Sequence, residues 1–307
     1  MSASAAPGPS EGGFERVDAD WSMAATINHP AFPGFGQFLF PTGRDLPDPS
    51  LTLRDTDTLL PYHSHVEVGT TVDVVNSLIG EVERGRTVFY DIYTPEQKAA
   101  DPSKQDTGLF FFAGEPGAPF AIVSAGGGFS YVGSIHESLP HALELSRRSY
   151  NAFALQYRTG GAQAACEDLA AAISFVFAHA DELGVATDGY SLWGGSAGAR
   201  MAAYLGSYGP DAYGGDGLPR PAAVVMQYTG HTDHTRQDPA TYAVVGEDDG
   251  IADWRTMQSR IDNLTAAGID TEFHHYANLG HGFGLGAGTT AEGWIEDAVA
   301  FWEGHQP

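Results

Sequence analysis

The chain has 307 residues, 42% of them hydrophobic, and no apolar run of about eighteen residues, the length that spans a bilayer. Its 15 Lys and Arg oppose 39 Asp and Glu, and the formal net charge of -24 would repel the phosphate backbone of a nucleic acid. We therefore expect a soluble protein with neither a nucleic-acid nor a membrane partner, built as one large domain or two smaller ones.

The N-terminal part of the chain has an irregular composition. "MSASAAPGPSEGG" lacks the basic and apolar regions of a secretory signal and predicts a disordered tail over residues 1–13, with the cytoplasm as the expected compartment. A secreted mature form stays open. Residues 14–85 mix aromatics with Pro and Gly, which predicts a segment lying on the rest of the protein as a lid or a wrap. Within it, "HVEVGTTVDVVNSLIGEVE" (65–83) has apolar spacing compatible with a helix.

Short apolar, β-branched or aromatic runs recur from residue 86 onward and indicate strands. They are "TVFYDIY" (87–93), "GLFFF" (108–112), "FAIVSA" (120–125), "NAFALQY" (151–157), "YSLW" (190–193), "AAVVMQY" (222–228), "YAVVG" (242–246) and "TEFHHY" (271–276). Helix-like segments separate most of the later runs, among them "CEDLAAAISFVFAHADELG" (166–184) and "WRTMQSRIDNLTAAG" (254–268). Strands alternating with helices predict an α/β fold in which a mostly parallel, eight-stranded sheet carries helices on both faces. The first two runs have no helix between them and predict an antiparallel start, and we assign residues 86–307 to one domain.

Ser196 stands in "SLWGGSAGAR" (191–200), between a predicted strand and a predicted helix. In that setting a G-x-S-x-G pattern forms a nucleophile elbow, a tight turn that holds the serine hydroxyl at the carboxyl end of the sheet. The small neighbours allow the helix and the adjacent strands to pass close to the turn, and the helix N-terminus directs backbone N–H groups at developing negative charge. The pattern predicts that Ser196 is a nucleophile.

A serine hydroxyl needs a base, and His281 is the candidate. It lies in "ANLGHGFG", directly after the predicted strand at 271–276. Its glycine neighbours leave an imidazole exposed on a loop at the same edge of the sheet as the serine. The position after Ser196 in the chain also fits the order of the triad in this kind of fold.

The carboxylate that orients the base is expected in "EDDGIAD", which follows the predicted strand at 242–246. Asp249 stands three residues beyond the end of that strand, the usual reach for this role. Asp248 and Asp253 stay open as alternatives. Asp253 also precedes a predicted helix and has a second interpretation as its N-cap.

The glycine run in "SAGGGFSYVG" follows the predicted strand at 120–125. Such a loop allows backbone N–H groups to approach a substrate oxygen, so Gly127 and Gly128 are predicted to form an oxyanion hole together with Ala197. The side chains that flank these positions are candidates for binding substrate. They are Phe129, Tyr131, Tyr228, His231, Trp254 and Phe283.

A metal site is the other interpretation of "YTGHTDH" (228–234), which places His231, Asp233 and His234 after a predicted strand. No further ligand is identifiable nearby in the sequence. We therefore expect no metal and no other cofactor.

Together these motifs resemble the α/β-hydrolase superfamily from about Thr87 to Trp302 and, within it, the bacterial esterases and lipases with a glycine-triplet oxyanion loop. Hormone-sensitive-lipase-like members carry a histidine before the triplet and an acidic residue before the serine, where this chain has Ala125 and Gly195. The pattern is more similar to the acetylxylan or feruloyl esterase-like carbohydrate esterases. The resemblance implies a triad of Ser196, Asp249 and His281 and an oxyanion hole of Gly127, Gly128 and Ala197.

The expected function is hydrolysis of a small-molecule carboxylic ester, acetyl or aryl, through an acyl-enzyme on the serine. Two alternatives stay open. One is a serine peptidase or acyltransferase on the same fold, and the other is a non-catalytic binding protein that uses a hydrolase fold.

Overall fold

The computed structural model describes residues 13–41 and 48–307. Apart from its last residue, the predicted tail lies outside the described residues, and so do positions 42–47 of the N-terminal segment. Within the described ranges, no helix combines the length and the apolar character needed to cross a membrane.

Over the described residues, eight strands form one sheet in the order β1-β2-β4-β3-β5-β6-β7-β8. The strands are β1 (Phe89–Tyr90), β2 (Gly108–Phe112), β3 (Pro119–Ser124), β4 (Asn151–Gln156), β5 (Ala186–Gly195), β6 (Ala223–Gln227), β7 (Ala240–Gly246) and β8 (Thr271–Tyr276). β2 runs antiparallel to β1 and β4, and the remaining pairs are parallel. The predicted mostly parallel sheet with an antiparallel start is confirmed.

The strands that differ most in length from the predicted runs are β1 and β5. β1 has only two residues, because it is an edge strand and Asp91 is already exposed where the predicted run continues. β5 begins four residues earlier than the apolar run, at Ala186. The exposed Asp188 and the left-handed Gly189 (φ 73°) interrupt the apolar pattern there, although the backbone continues as a strand.

Helices connect and cover the strands. The α-helices are α1 (Met23–Ile27), α2 (Val68–Glu83), α3 (Pro95–Ala100), α4 (Ser138–Arg147), α5 (Ala162–Ala178), α6 (Ala180–Leu183), α7 (Ala197–Tyr208), α8 (Trp254–Ala266) and α9 (Trp294–Glu303), and short 3-10 helices lie at Gly36–Phe38, Leu53–Leu59, Pro102–Asp106 and Pro210–Tyr213. α2 and α8 confirm the helices predicted at 65–83 and 254–268. The segment predicted as one helix at 166–184 is two, α5 and α6, divided at His179, where ψ is 16°.

The N-terminal segment contributes to the same hydrophobic core as the sheet. Met23, Leu39 and Leu53 are fully buried, and the ring of Phe35 stacks on Phe89 of β1 with centroids 4.9 Å apart. Burial of this kind stabilises a folded chain by about 1.5–3 kcal/mol for each large apolar side chain. In the described structure the segment is therefore packed as part of the core.

Candidate active site

The turn between β5 and α7 holds Ser196 in a strained conformation, with φ 52° and ψ -111°. A non-glycine residue held in such a region costs about 1–3 kcal/mol, which the surrounding structure must offset. The Ser196 N–H donates to the Gln227 carbonyl oxygen at the end of β6, at 2.9 Å. Position 198 has room only for glycine, because a Cβ there would lie 1.9 Å from the Ser124 carbonyl oxygen of β3.

The structure brings the three predicted triad side chains together. His281 Nε2 lies 3.0 Å from Ser196 Oγ, and His281 Nδ1 lies 2.7 Å from Asp249 Oδ2. Because a carboxylate only accepts, Nδ1–H donates to Asp249 and Nε2 is left to accept the serine proton. The side chain of Asp249 is fully buried and that of His281 is 7% exposed.

Asp249 is fixed by its own loop. Its Oδ1 accepts the N–H groups of Ile251 and Ala252 at 2.8 and 2.7 Å, which leaves Oδ2 for the imidazole. The two alternative acids are placed elsewhere. Asp248 is exposed, and Asp253 is the N-cap of α8, where it accepts the Arg255 N–H at 3.0 Å.

The glycine loop after β3 presents backbone donors beside the serine. The Gly126 N–H donates to the carboxylate of Glu137. Gly127 has a φ of 131°, and a Cβ there would lie 2.2 Å from the Tyr131 carbonyl oxygen. Within residues 13–41 and 48–307, the N–H groups of Gly127, Gly128 and Ala197 have no acceptor. Three predicted oxyanion donors are thus available, while the first glycine of the triplet is already bonded.

Glu137 is a buried carboxylate that the sequence did not reveal as part of the site. Its side chain is 1% exposed, and besides Gly126 it accepts His63 Nε2–H and Tyr228 O–H, each at 2.9 Å. Burial by itself would raise the pKa of Glu137, but His63 and the Gly126 N–H outweigh burial and bring the pKa down to about 2. Glu137 is therefore an ionised group at neutral pH, next to the turn that holds Ser196.

Residues 62–64 of the N-terminal segment contact both the loop of His281 and the loop that follows β3. The Ser64 N–H donates to the Gly282 carbonyl oxygen at 3.0 Å, and Ser64 Oγ donates to the His281 carbonyl oxygen at 2.7 Å. His63 Nδ1 lies 3.0 Å from the Tyr131 hydroxyl, beyond the glycine loop. This stretch joins the loop of the base to the loop of the predicted oxyanion hole.

Tyr62 lies at the outer rim of the same stretch. Its side chain is among the exposed large hydrophobic groups, at 44%. The ring stacks on Tyr131 with centroids 5.8 Å apart, and its Cε2 atom lies 3.5 Å from where a Cβ of Gly128 would be. Tyr62 is thus a partly exposed aromatic side chain next to Gly128, one of the predicted oxyanion residues.

Two of the predicted substrate-binding residues lie behind the base. The ring of Tyr228 packs against His281 with centroids 4.9 Å apart, and Phe283 packs against Tyr228 at 4.8 Å. Both are almost completely buried, with 0% and 1% exposure. Their contacts support the imidazole and leave little surface for a substrate.

The other four predicted substrate-binding residues lie at separate places around the site. Phe129 and Tyr131 are half-buried in the glycine loop, while Trp254 stacks on His275 at 4.5 Å and His231 packs on Tyr204 at 4.6 Å. Burial lowers the pKa of His231 to about 4, so it is neutral at pH 7. Among the described residues, no hydrogen bond, ion pair or ring contact joins Trp254 or His231 to the three predicted triad side chains. Among residues 13–41 and 48–307, no three His, Cys, Asp or Glu side chains form a group that could hold a metal ion.

His136 is a second functional neighbour that the sequence did not indicate. It donates Nε2–H to the Gly282 carbonyl oxygen at 2.9 Å, and burial lowers its pKa to about 4. His136 and Glu137 are adjacent in "SIHES" (134–138), and all five residues of this stretch are buried although four of them are polar. The polar composition of the stretch gives no sign of this burial in the sequence, nor of which loops the two side chains contact.

Comparison with known proteins places the chain in a family. The sequence profile of the family described as BD-FAE matches residues 113–267, which are 155 of the 307 residues. Among curated proteins, none matches the chain significantly.

Solved structures share the fold at low sequence identity. An acetyl ester-xyloside bifunctional hydrolase from Caldicellulosiruptor lactoaceticus is 19% identical, with a TM-score of 0.63 over 71% of this chain and 96% of its own. MGS-M1, an α/β-hydrolase enzyme from a Medee basin deep-sea metagenome library, is 21% identical, with a TM-score of 0.58 over 64% and 92%. The propionate-bound esterase Est2 of Thermogutta terrifontis is 19% identical, with a TM-score of 0.57 over 64% and 89%. The chain belongs to the BD-FAE family and has the α/β-hydrolase fold.

Proposed function

We propose that the protein is a serine carboxylic-ester hydrolase with Ser196 as nucleophile, His281 as base and Asp249 as the orienting acid. The observation that carries the proposal is the continuous hydrogen-bond chain from Ser196 Oγ through the imidazole to the buried carboxylate, at 3.0 and 2.7 Å. An adjacent base oriented by a third group is what activates a serine hydroxyl at neutral pH.

The reaction proceeds in two steps, acylation of the serine and hydrolysis of the acyl-enzyme. Ser196 Oγ attacks the ester carbonyl carbon while His281 Nε2 takes its proton, and the oxyanion accepts hydrogen bonds from Gly127, Gly128 and Ala197. The carbon–oxygen bond to the alcohol then breaks, and His281 returns the proton to the leaving alcohol. Water, deprotonated by His281, then attacks the carbonyl carbon of the acyl-enzyme. The bond from that carbon to Ser196 Oγ breaks, His281 returns the proton to Oγ, and a carboxylic acid is released.

We propose small acyl groups, acetyl in particular, as the substrate class. The support comes from the names of structural relatives, which include an acetyl ester-xyloside hydrolase and an esterase solved with propionate. We assign the catalytic domain to residues 86–307 and interpret the N-terminal segment, residues 14–85, as a wrap, because its apolar side chains lie in the shared core.

The test is hydrolysis of 4-nitrophenyl acetate by the wild type and by Ser196→Ala. The variant should lose at least about 10⁴-fold in kcat/KM, because removing the nucleophile leaves only binding and the oxyanion donors. Ser174→Ala is the matched control, since its hydroxyl bonds only the Ala170 carbonyl oxygen within α5. Wild-type activity in Ser196→Ala, or a wild type that a fluorophosphonate probe fails to label at Ser196, would disprove the proposal.

A further inference from the structure

We propose that Glu137 is a positioning residue for the reaction and that His63, from the N-terminal segment, acts with it to hold the glycine loop and the base in register. The inference rests on the proposed esterase function. It extends that function to a buried pair that contacts neither the substrate nor the reacting atoms.

Three separate parts of the chain donate hydrogen bonds to this one carboxylate. Glu137 accepts the Gly126 N–H from the glycine loop, His63 Nε2–H from the N-terminal segment and Tyr228 O–H from the end of β6. An ionised carboxylate has the acceptor capacity for all three, and charge-assisted bonds of this kind are about twice as strong as neutral ones.

Glu137 lies directly beneath the elbow. A Cβ on Gly195 would be 2.6 Å from Glu137 Oε2, and a Cβ on Gly126 would be 3.0 Å from the same oxygen and 2.8 Å from Ser196 Cβ. The carboxylate therefore fills the space behind the serine. Position 195 has no room for the acidic side chain that hormone-sensitive-lipase-like enzymes carry there.

Each donor leads to a reacting group within one step. The hydrogen bond from the Gly126 N–H to Glu137 fixes the backbone directly before Gly127 and Gly128, two of the predicted oxyanion donors. Tyr228 packs its ring edge-to-face on His281 and also accepts the Gly284 N–H at 3.3 Å. His63 precedes Ser64, which bonds the His281 carbonyl oxygen. Displacing Glu137 moves the oxyanion donors and the base relative to each other.

A buried carboxylate that only stabilises the fold would affect unfolding and leave the rate unchanged. A positioning residue lowers kcat, because the geometry that it holds is needed most in the transition state. The two roles therefore separate in a comparison of kcat, KM and the unfolding midpoint.

The experiment uses Glu137→Gln, which keeps the side-chain shape but places an NH₂ group against donors. We expect kcat for 4-nitrophenyl acetate to fall about 10- to 100-fold while KM stays within about threefold of the wild type. Asp238→Asn is the matched control, a buried carboxylate paired with Arg260 at 2.7 Å before β7. It should lower the unfolding midpoint and leave kcat within about twofold of the wild type. Wild-type kcat in Glu137→Gln, or an equal loss of kcat in Asp238→Asn, overturns the proposal.

His63→Phe tests the same connection without changing the carboxylate and serves if Glu137→Gln does not fold. It should lower kcat by about tenfold, and the double variant should be no slower than Glu137→Gln alone, because coupled residues are not additive. Losses that multiply in the double variant, or a wild-type kcat in His63→Phe, contradict a shared role. A wild type without Ser196-dependent hydrolysis refutes the proposed function itself, whereas an active wild type with unaffected variants refutes only this inference.

Discussion

At the carboxyl ends of β3, β5 and β6, three non-glycine residues have positive φ angles: Phe129 at 58°, Ser196 at 52° and Tyr228 at 35°. Before the amino end of β7, by contrast, Asp238 is held by ordinary contacts. It accepts the Ser207 hydroxyl at 2.9 Å and the Arg260 guanidinium at 2.7 Å. The three positive-φ residues at the carboxyl end lie beside buried polar groups, whereas Asp238 at the amino end pairs its buried charge through ordinary contacts, although Ser149 before β4 also has a positive φ of 71°.

The difference indicates what each end contributes. Strain of about 1–3 kcal/mol per residue persists only where the surroundings impose it, and it is concentrated where side chains must face one another. A paired buried charge at the far end holds elements of the fold together. Substitutions at the carboxyl end should therefore be detected in rate constants, and those at the amino end in stability.

The largest expected effect belongs to Asp249. Asp249→Asn should lower kcat by about 10⁴-fold, because an amide does not hold the imidazole in the tautomer that accepts the serine proton. Steady-state kinetics on 4-nitrophenyl acetate measure the loss, and denaturant unfolding should show little change. Asp248→Asn and Asp253→Asn are the controls and should stay within about threefold of the wild type, since asparagine is also a good N-cap. A greater loss in either control would move the acid to that position.

An intermediate effect is expected from Asp238→Asn at the other end of the sheet. The variant should lose about 3 kcal/mol of unfolding free energy, because it leaves the 2% exposed Arg260 side chain buried without its charge partner. Urea unfolding followed by tryptophan fluorescence measures the change. If kcat fell with stability, the two ends would not be independent, and the contrast between them would be wrong.

The smallest effect concerns pH. His141 on α4 is buried against Trp294, with ring centroids 5.5 Å apart, and burial lowers its pKa from 6.5 to about 4. Below pH 6.5 the unfolded chain binds a proton that the folded protein does not, so stability falls as pH decreases toward 4. At pH 5 this contribution reaches about 2 kcal/mol, from 1.36 kcal/mol for each pH unit.

His141→Leu removes that proton linkage. Unfolding free energies measured between pH 7 and pH 5 should therefore decrease less in the variant, by about 2 kcal/mol. The comparison must be made as a difference between pH values, because the substitution also changes packing at every pH. Parallel pH curves for the two proteins would show that His141 is not the group that titrates.

Most of this candidate site could be predicted from the order of strands and turns in the sequence. Ser196, Asp249 and His281 each follow an apolar run, and the carboxyl ends of parallel strands meet at one edge, so their proximity could be predicted. The structure brings them together, and their catalytic roles stay predictions. The sequence offered three candidates for the orienting acid, Asp248, Asp249 and Asp253. Only the geometry of the loop distinguishes Asp249 from the other two.

Glu137 and His63 could not be predicted in the same way. Glu137 precedes α4, and His63 lies in an irregular segment whose path is set by tertiary contacts rather than by periodicity. Neither stands in a spacing pattern that identifies its partner. The early start of β5 was missed for a related reason, because Asp188 and Gly189 conceal a strand that is held by pairing with β3.

The rim position of Tyr62 has a consequence for the evolution of selectivity. Its ring is exposed and lies next to Gly128, while the next residue along the chain, His63, is buried against Glu137. With the proposed function, we expect position 62 to affect which ester substrates bind and position 63 to affect kcat. A smaller residue in place of Tyr62 should therefore widen the range of accepted esters while the buried contacts of His63 and Glu137 are kept.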